Sequence, residues 1–217
     1  MFQKMLNEAK SYKLHHAGKN TAINNMVDAA PFEADFMILI RSVYERMFPG
    51  GSWVDKTPGG GVATMPLIQR AFPNAKIVAT RRNGIEVVSS ILKKFDTPFE
   101  QACRIWSTSM SRISQARSDG VQFLEVDQFD FTNNAADVAC RLCAHLGRPE
   151  KTEAWIRLFQ DDRIQHLSTH DWSKRLTLDD VRWTEQQKQT FVKICGKQME
   201  ISGYQSQLTC TVDAGAG

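Results

Sequence analysis

Phe72-Pro-Asn-Ala-Lys-Ile-Val-Ala-Thr-Arg-Arg-Asn-Gly-Ile-Glu-Val-Val-Ser-Ser90 is the stretch on which the fold turns. Lys76–Thr80 is short, mostly apolar and bounded by turn residues, the pattern of a buried parallel strand. Phe72-Pro73-Asn74 breaks the chain before it, and Arg81-Arg82-Asn83-Gly84 turns it afterwards. From Ile85 to about Lys94 the spacing predicts a helix. A strand that hands a cationic turn to a helix start suits an anion. Backbone N–H groups at a helix amino terminus attract negative charge, and an arginine fork meets phosphate oxygens in two places. Arg82 sits at that turn. Ser90 follows about two helical turns later, so its hydroxyl reaches the same ligand only if the ligand lies alongside the helix. A plainer reading of the same residues is an arginine paired with a carboxylate and a serine bonded to its own helix.

Working outward, Val121–Val126 is a second strand. Upstream, Phe36, Leu39, Ile40, Val43 and Met47 fall at helical spacing, predicting an amphipathic helix over 33–48 that stops at Pro49-Gly50-Gly51. A short helix is expected over 64–72, with Leu67, Ile68 and Phe72 inward. A longer one is expected from Pro98 to about Arg117, with Ala102, Ile105, Trp106, Met110 and Ile113 on one side. Asn133 or Asn134 caps a helix through Leu146, closed by Gly147. Further helices are expected near 151–159 and 184–201. Strands alternating with helices predict βαβ units and a parallel sheet in a helix-rich α/β fold, with ligands at the carboxyl ends of the strands. Residues 1–32 read as a poorly structured lead-in, 33–204 as the domain and 205–217 as a frayed tail.

Bulk properties agree with one folded domain. The 217 residues are 42% hydrophobic and include 12 Phe and 5 Trp, which argues against disorder. Net charge is +3, and Lys4, Lys10, Lys13 and Lys19 against Glu8 account for that excess, so the rest is near neutral and a nucleic-acid partner has little support. No apolar run approaches the ~18 residues of a membrane span. The beginning lacks the pattern of a secretory signal, and five cysteines at irregular spacings form no disulfide framework. Cytoplasm is the expected compartment. Cys140-x-x-Cys143 with His145 lies within a predicted helix whose apolar stripe includes Cys143, so core cysteine is preferred to a metal site. His166 and His170 fall in a polar loop before Trp172.

The segment at 72–90 resembles the sulfotransferase signature, in which a strand delivers Arg-Asp-Pro and a Ser follows eight positions after the Arg. Arg82-Asn83-Gly84 and Ser90 occupy those positions. The resemblance implies that Arg82 and Ser90 hold the 3′-phosphate of 3′-phosphoadenosine 5′-phosphosulfate; a shift of one residue would pair Arg81 with Ser89. Trp53-Val54-Asp55-Lys56-Thr57-Pro58 resembles the Lys-Thr-Pro element of bacterial-type members, which implies a catalytic Lys56 near the transferred group. Other members carry a His base where this chain has Pro58. Phe123–Phe131 is similar to the strand ending in Tyr/Gln-Glu-Asp-Leu, with Phe129 at the usual Glu, and Trp172–Tyr204 to the closing segment, whose loop can cover the nucleotide. Together these imply a three-layer, P-loop-NTPase-like fold. The expected chemistry is metal-free transfer of a sulfuryl group to a hydroxyl or amine on a small-molecule, glycan or peptide acceptor.

The family also holds the 5′-phosphosulfate in a Pro-Lys-Ser-Gly-Thr-Thr loop after its first strand, and no such strand–loop–helix stands here. Gly59-Gly60-Gly61 reads instead as a flexible surface turn. The expectation is a domain lacking its first βα unit. Activity is then in doubt, and an inactive remnant that binds a partner is the alternative. A small-molecule kinase would need Gly-Lys-Ser/Thr, which the sequence lacks.

Overall fold

A computed structural model describes residues 32–50, 53–57, 59–161 and 174–208. The chain divides into two compact units, Met1–Ala75 and Lys76–Gly217.

In the first unit, helix α1 (Phe32–Met47) and helix α2 (Met65–Ala71) share a small core of Met37, Ile40, Leu67 and Ala71, with Tyr44 and Phe72 packed against it. Pro66 stands at the start of α2, where a missing N–H costs nothing. At its other end, Arg41 donates from Nε and Nη2 to the Ala71 carbonyl at 3.0 and 2.8 Å. That carbonyl belongs to the last turn and has no partner within the helix. Tyr44, Trp53 and Phe72 close the unit with ring centroids 4.6–5.4 Å apart. The expected inward face of α1 is corrected. Ile40 is buried, but Leu39, Val43 and Met47 are 55%, 39% and 63% exposed. The buried stripe runs Met37–Ile40–Tyr44, because α1 carries apolar residues on more than one face and the aromatic cluster around Tyr44 selects among them. The side chain of Phe36 lies outside the described residues. Gly59–Gly61 is corrected too: a 3-10 helix spans Gly59–Thr64, and Thr64 Oγ1 donates to Gly61 O at 2.6 Å as the chain enters α2.

The second unit is helix-rich α/β. Strands β1 (Ile77–Arg81) and β2 (Phe123–Asp127) pair in parallel, Ile77 opposite Phe123 through Arg81 opposite Asp127. Helices α3 (Gly84–Lys94) and α4 (Phe99–Ser118) make the crossover that parallel pairing requires. Gly120 takes φ +79° at the end of α4, and Val121 N–H bonds back to Ala116 O at 3.0 Å. That closure uses Val121, so β2 starts two residues later than the apolar run. Among the described residues four more α-helices follow: α5 (Asp130–Asn133), which the sequence did not signal, α6 (Ala135–Leu146), α7 (Thr152–Asp161) and α8 (Glu185–Ile201). Gly147, at φ 68°, ends α6 as expected, and Thr184 and Gln187 form a capping box on α8.

One core gathers Ile85 and Val88 of α3, Cys103, Trp106 and Met110 of α4, and Phe191, Cys195 and Met199 of α8. Cys103 occupies the inward position expected of Ile105, which is exposed. Val126, Val138 and Leu142 form a second core with Trp155 and Phe159. Cys143 is buried and Cys140 exposed. Gly84 opens α3 in close quarters: a Cβ there would lie 3.0 Å from both Met199 Sδ and the Trp106 ring.

Candidate functional site at the strand ends

The carboxyl ends of β1 and β2 lie side by side, and Gln128 N–H donates to Arg81 O at 2.8 Å just beyond them. Two arginines leave β1 here and meet different surroundings. Arg81 donates from Nη1 to Ser202 O at 2.8 Å and pairs with Glu125 at 3.1 Å, while its Nε lies 3.8 Å from Asp127 Oδ2. Its guanidinium carbon is 5.4 Å from the centre of the Tyr204 ring.

Asp127, only 3% exposed, is the hub of this network. Its carboxylate accepts from the Tyr204 hydroxyl at 2.6 Å, from Phe129 N–H at 3.0 Å and from Arg175 Nη1 at 3.0–3.1 Å. A buried carboxylate is stable only when paired and hydrogen-bonded in this way. Burial, reinforced by the Asp127 carboxylate, pushes the Tyr204 hydroxyl far above its ordinary value near 10, so it stays a donor. Burial opposes the charge on Arg175, but Asp127 outweighs it and the guanidinium's pKa goes up. The same guanidinium lies 4.3 Å from the Phe129 ring centre.

Arg82 folds back one turn, its Nε donating to Glu86 Oε2 at 2.7 Å. Asn83, fully buried, caps α3 by accepting from Ile85 N–H at 2.9 Å, and its Nδ2 donates to Leu176 O at 2.7 Å. Trp106 Nε1 donates to the Arg82 carbonyl at 3.0 Å. The plainer reading of Arg82 thus describes this state: a carboxylate holds it. Arg82, Glu86 and Ser90 follow at intervals of four, one stripe along the start of α3. Ser90 is half-buried on that stripe, whereas Ser89 Oγ is buried and without a hydrogen bond.

Lys56 lies exposed in 53–57 of the first unit. Lys174 pairs with Asp180 at 2.8 Å. His166, His170 and Trp172 lie outside the described residues. His145 Nε2 is 3.0 Å from Ile77 O, and no cluster of three metal-ligating side chains occurs among the described residues. Sequence reasoning missed Glu86, Asn83, Asp127 and the structural part of Tyr204. Glu86 had a readable signal, an acid four residues after an arginine on a helix start. The bonds from Asp127 to Arg175 and Tyr204 had none, because they join distant parts of the chain.

The family model for sulfotransferases matches residues 2–153, most of the chain. The chain belongs to the sulfotransferase family. No curated protein matches it, and neither does any solved structure. The sulfotransferase match takes in both strands and the turn at Arg82, and it stops before Arg175 and Tyr204, which complete the network at the strand ends. Membership implies a transferase acting on sulfuryl groups. No helix among the described residues is long and apolar enough to cross a membrane.

Proposed function

We propose that this sulfotransferase moves a sulfuryl group from 3′-phosphoadenosine 5′-phosphosulfate to a hydroxyl or amine, with Arg82 and Ser90 on the donor's 3′-phosphate. The observation that carries the reading is where Arg82 lies: at the carboxyl end of a parallel strand, beside the capped start of α3, with Ser90 on the same stripe. A half-buried guanidinium beside a helix amino terminus and, about two turns on, a hydroxyl on the same stripe form a donor set suited to a phosphate that lies alongside the helix. Of the two arginines, Arg81 is engaged by Glu125, Asp127 and Ser202, which favours the pairing of Arg82 with Ser90 over Arg81 with Ser89. Sulfuryl transfer, like phosphoryl transfer, depends on positioning and on neutralising the charge that develops on the leaving oxygen. Lys56 is our candidate for that second task.

Calorimetric titration with adenosine 3′,5′-bisphosphate and with adenosine 5′-monophosphate tests the reading. The wild-type chain is expected to prefer the bisphosphate, and Arg82→Ala to lose that preference, by roughly tenfold or more for a charge-assisted bond. Equal affinity for the two nucleotides in the wild type defeats the assignment. Donor-dependent transfer of labelled sulfate that falls with Lys56→Ala supports the catalytic part. Binding without transfer would make the chain a nucleotide-binding domain instead.

A further inference from the structure

We infer that Glu86 is a positioning residue for the phosphate-binding arginine, and that it ties this arginine to the segment at 174–178. The inference rests on the donor reading above and adds a residue to it. Glu86 is 5% exposed, and each carboxylate oxygen has its own partner. Oε2 accepts from Arg82 Nε at 2.7 Å, and Oε1 accepts from Leu176 N–H at 3.2 Å. A carboxylate at that depth is costly unless both oxygens are satisfied, and here they are satisfied by two different parts of the chain.

The geometry of the grip matters. A guanidinium is a rigid planar fork, so holding it through Nε fixes the plane in which its Nη groups lie. The same turn is pinned from behind, with Trp106 on the Arg82 carbonyl and Asn83 capping Ile85. Leu176 is clamped at both backbone groups, its N–H by Glu86 and its carbonyl by Asn83. Glu86 therefore touches both the arginine and the closing segment. Taking away its charge loosens Arg82, while an amide in its place still accepts from Leu176.

The test uses the full chain and the two nucleotides named above, with Glu86→Gln, Arg82→Ala and the double variant. Glu86→Gln keeps the size and the acceptor oxygen but loses the charge. It is expected to weaken the 3′,5′-bisphosphate about tenfold and to leave the 5′-monophosphate within about twofold, since a loss of roughly 1.4 kcal/mol is one decade. The double variant is expected to bind no more weakly than Arg82→Ala alone, because Glu86 acts through Arg82. An equal loss for both nucleotides, or losses that add in the double variant, would overturn the inference. Should Glu86→Gln not fold, Glu86→Asp reads the same ratio with the charge withdrawn by one methylene, and a loss confined to the bisphosphate is again required. A wild-type chain that does not distinguish the nucleotides refutes the donor reading. A wild type that distinguishes them beside an unaffected Glu86→Gln refutes only this inference.

Discussion

The network at the strand ends and the helix pair α1–α2 hold themselves together by opposite means. At the strand ends, Asp127, Glu86 and Asn83 are buried polar groups, each satisfied by named partners on other segments. In the helix pair, contacts are mainly apolar and aromatic, and Arg41 adds two hydrogen bonds to the Ala71 carbonyl. A polar network is intolerant: removing one member strands the others without water. An apolar cluster loses stability in proportion to the volume removed.

Substitutions can break or sharpen that contrast. The largest effect is expected from Asp127→Ala, which leaves Arg175 and the Tyr204 hydroxyl without their shared acceptor and Arg81 without one of its two carboxylate neighbours. Removing one partner of a buried ion pair costs about 3–5 kcal/mol, which for a chain of this length lowers Tm by roughly 10 °C in a thermal melt. A change of under about 1 kcal/mol would show that the network is dispensable. Ile40→Ala comes next, at about 2–5 kcal/mol for a buried aliphatic residue, read as faster amide exchange in α1. Exchange that stays slow would mean the α1–α2 core is not what holds that helix.

Tyr204→Phe removes one hydrogen bond to a charged acceptor, about 1.5–3 kcal/mol by urea denaturation near pH 7. It also carries a pH signature. The folded hydroxyl titrates above its ordinary value near 10. The stability it contributes is therefore complete below pH 10 and declines above it, as the unfolded chain ionises first. Phenylalanine should flatten that alkaline decline, and an unchanged slope would exclude Tyr204 as its source. The smallest effect is expected at Leu39→Lys, on the exposed side of α1, within about 0.5 kcal/mol. A clear loss there would mean that this apolar surface is covered in solution.

What the sequence disclosed follows the same division. Both strands, the turn at Arg82 and the end of α6 were legible, because Gly147 and the breaks around Pro73 act through local backbone chemistry, whereas the expected asparagine cap of α6 is not made: the Asn134 side chain bonds to Asp130 Oδ1 instead. The inward face of α1 was not, because Ile38, Leu39 and Val43 compete with Met37 and Ile40 for it and only the aromatic partners decide. At the site, Arg82 could be found from its place after a strand, and Glu86 from the interval of four. Asp127 could be read only as the end of a strand. Its role comes from residues 48 and 77 positions away, a separation at which pattern carries no information.

Gly84 stands where a proline is usual in the family, and the room above it is taken by the Trp106 ring and Met199. The three positions therefore form one steric unit. A side chain at 84 would need the Trp106 ring or the Met199 thioether to give by a few tenths of an ångström, and moving the ring would disturb the indole that donates to the Arg82 carbonyl. A larger residue at 84 should therefore be best accommodated together with a smaller one at 106 or 199.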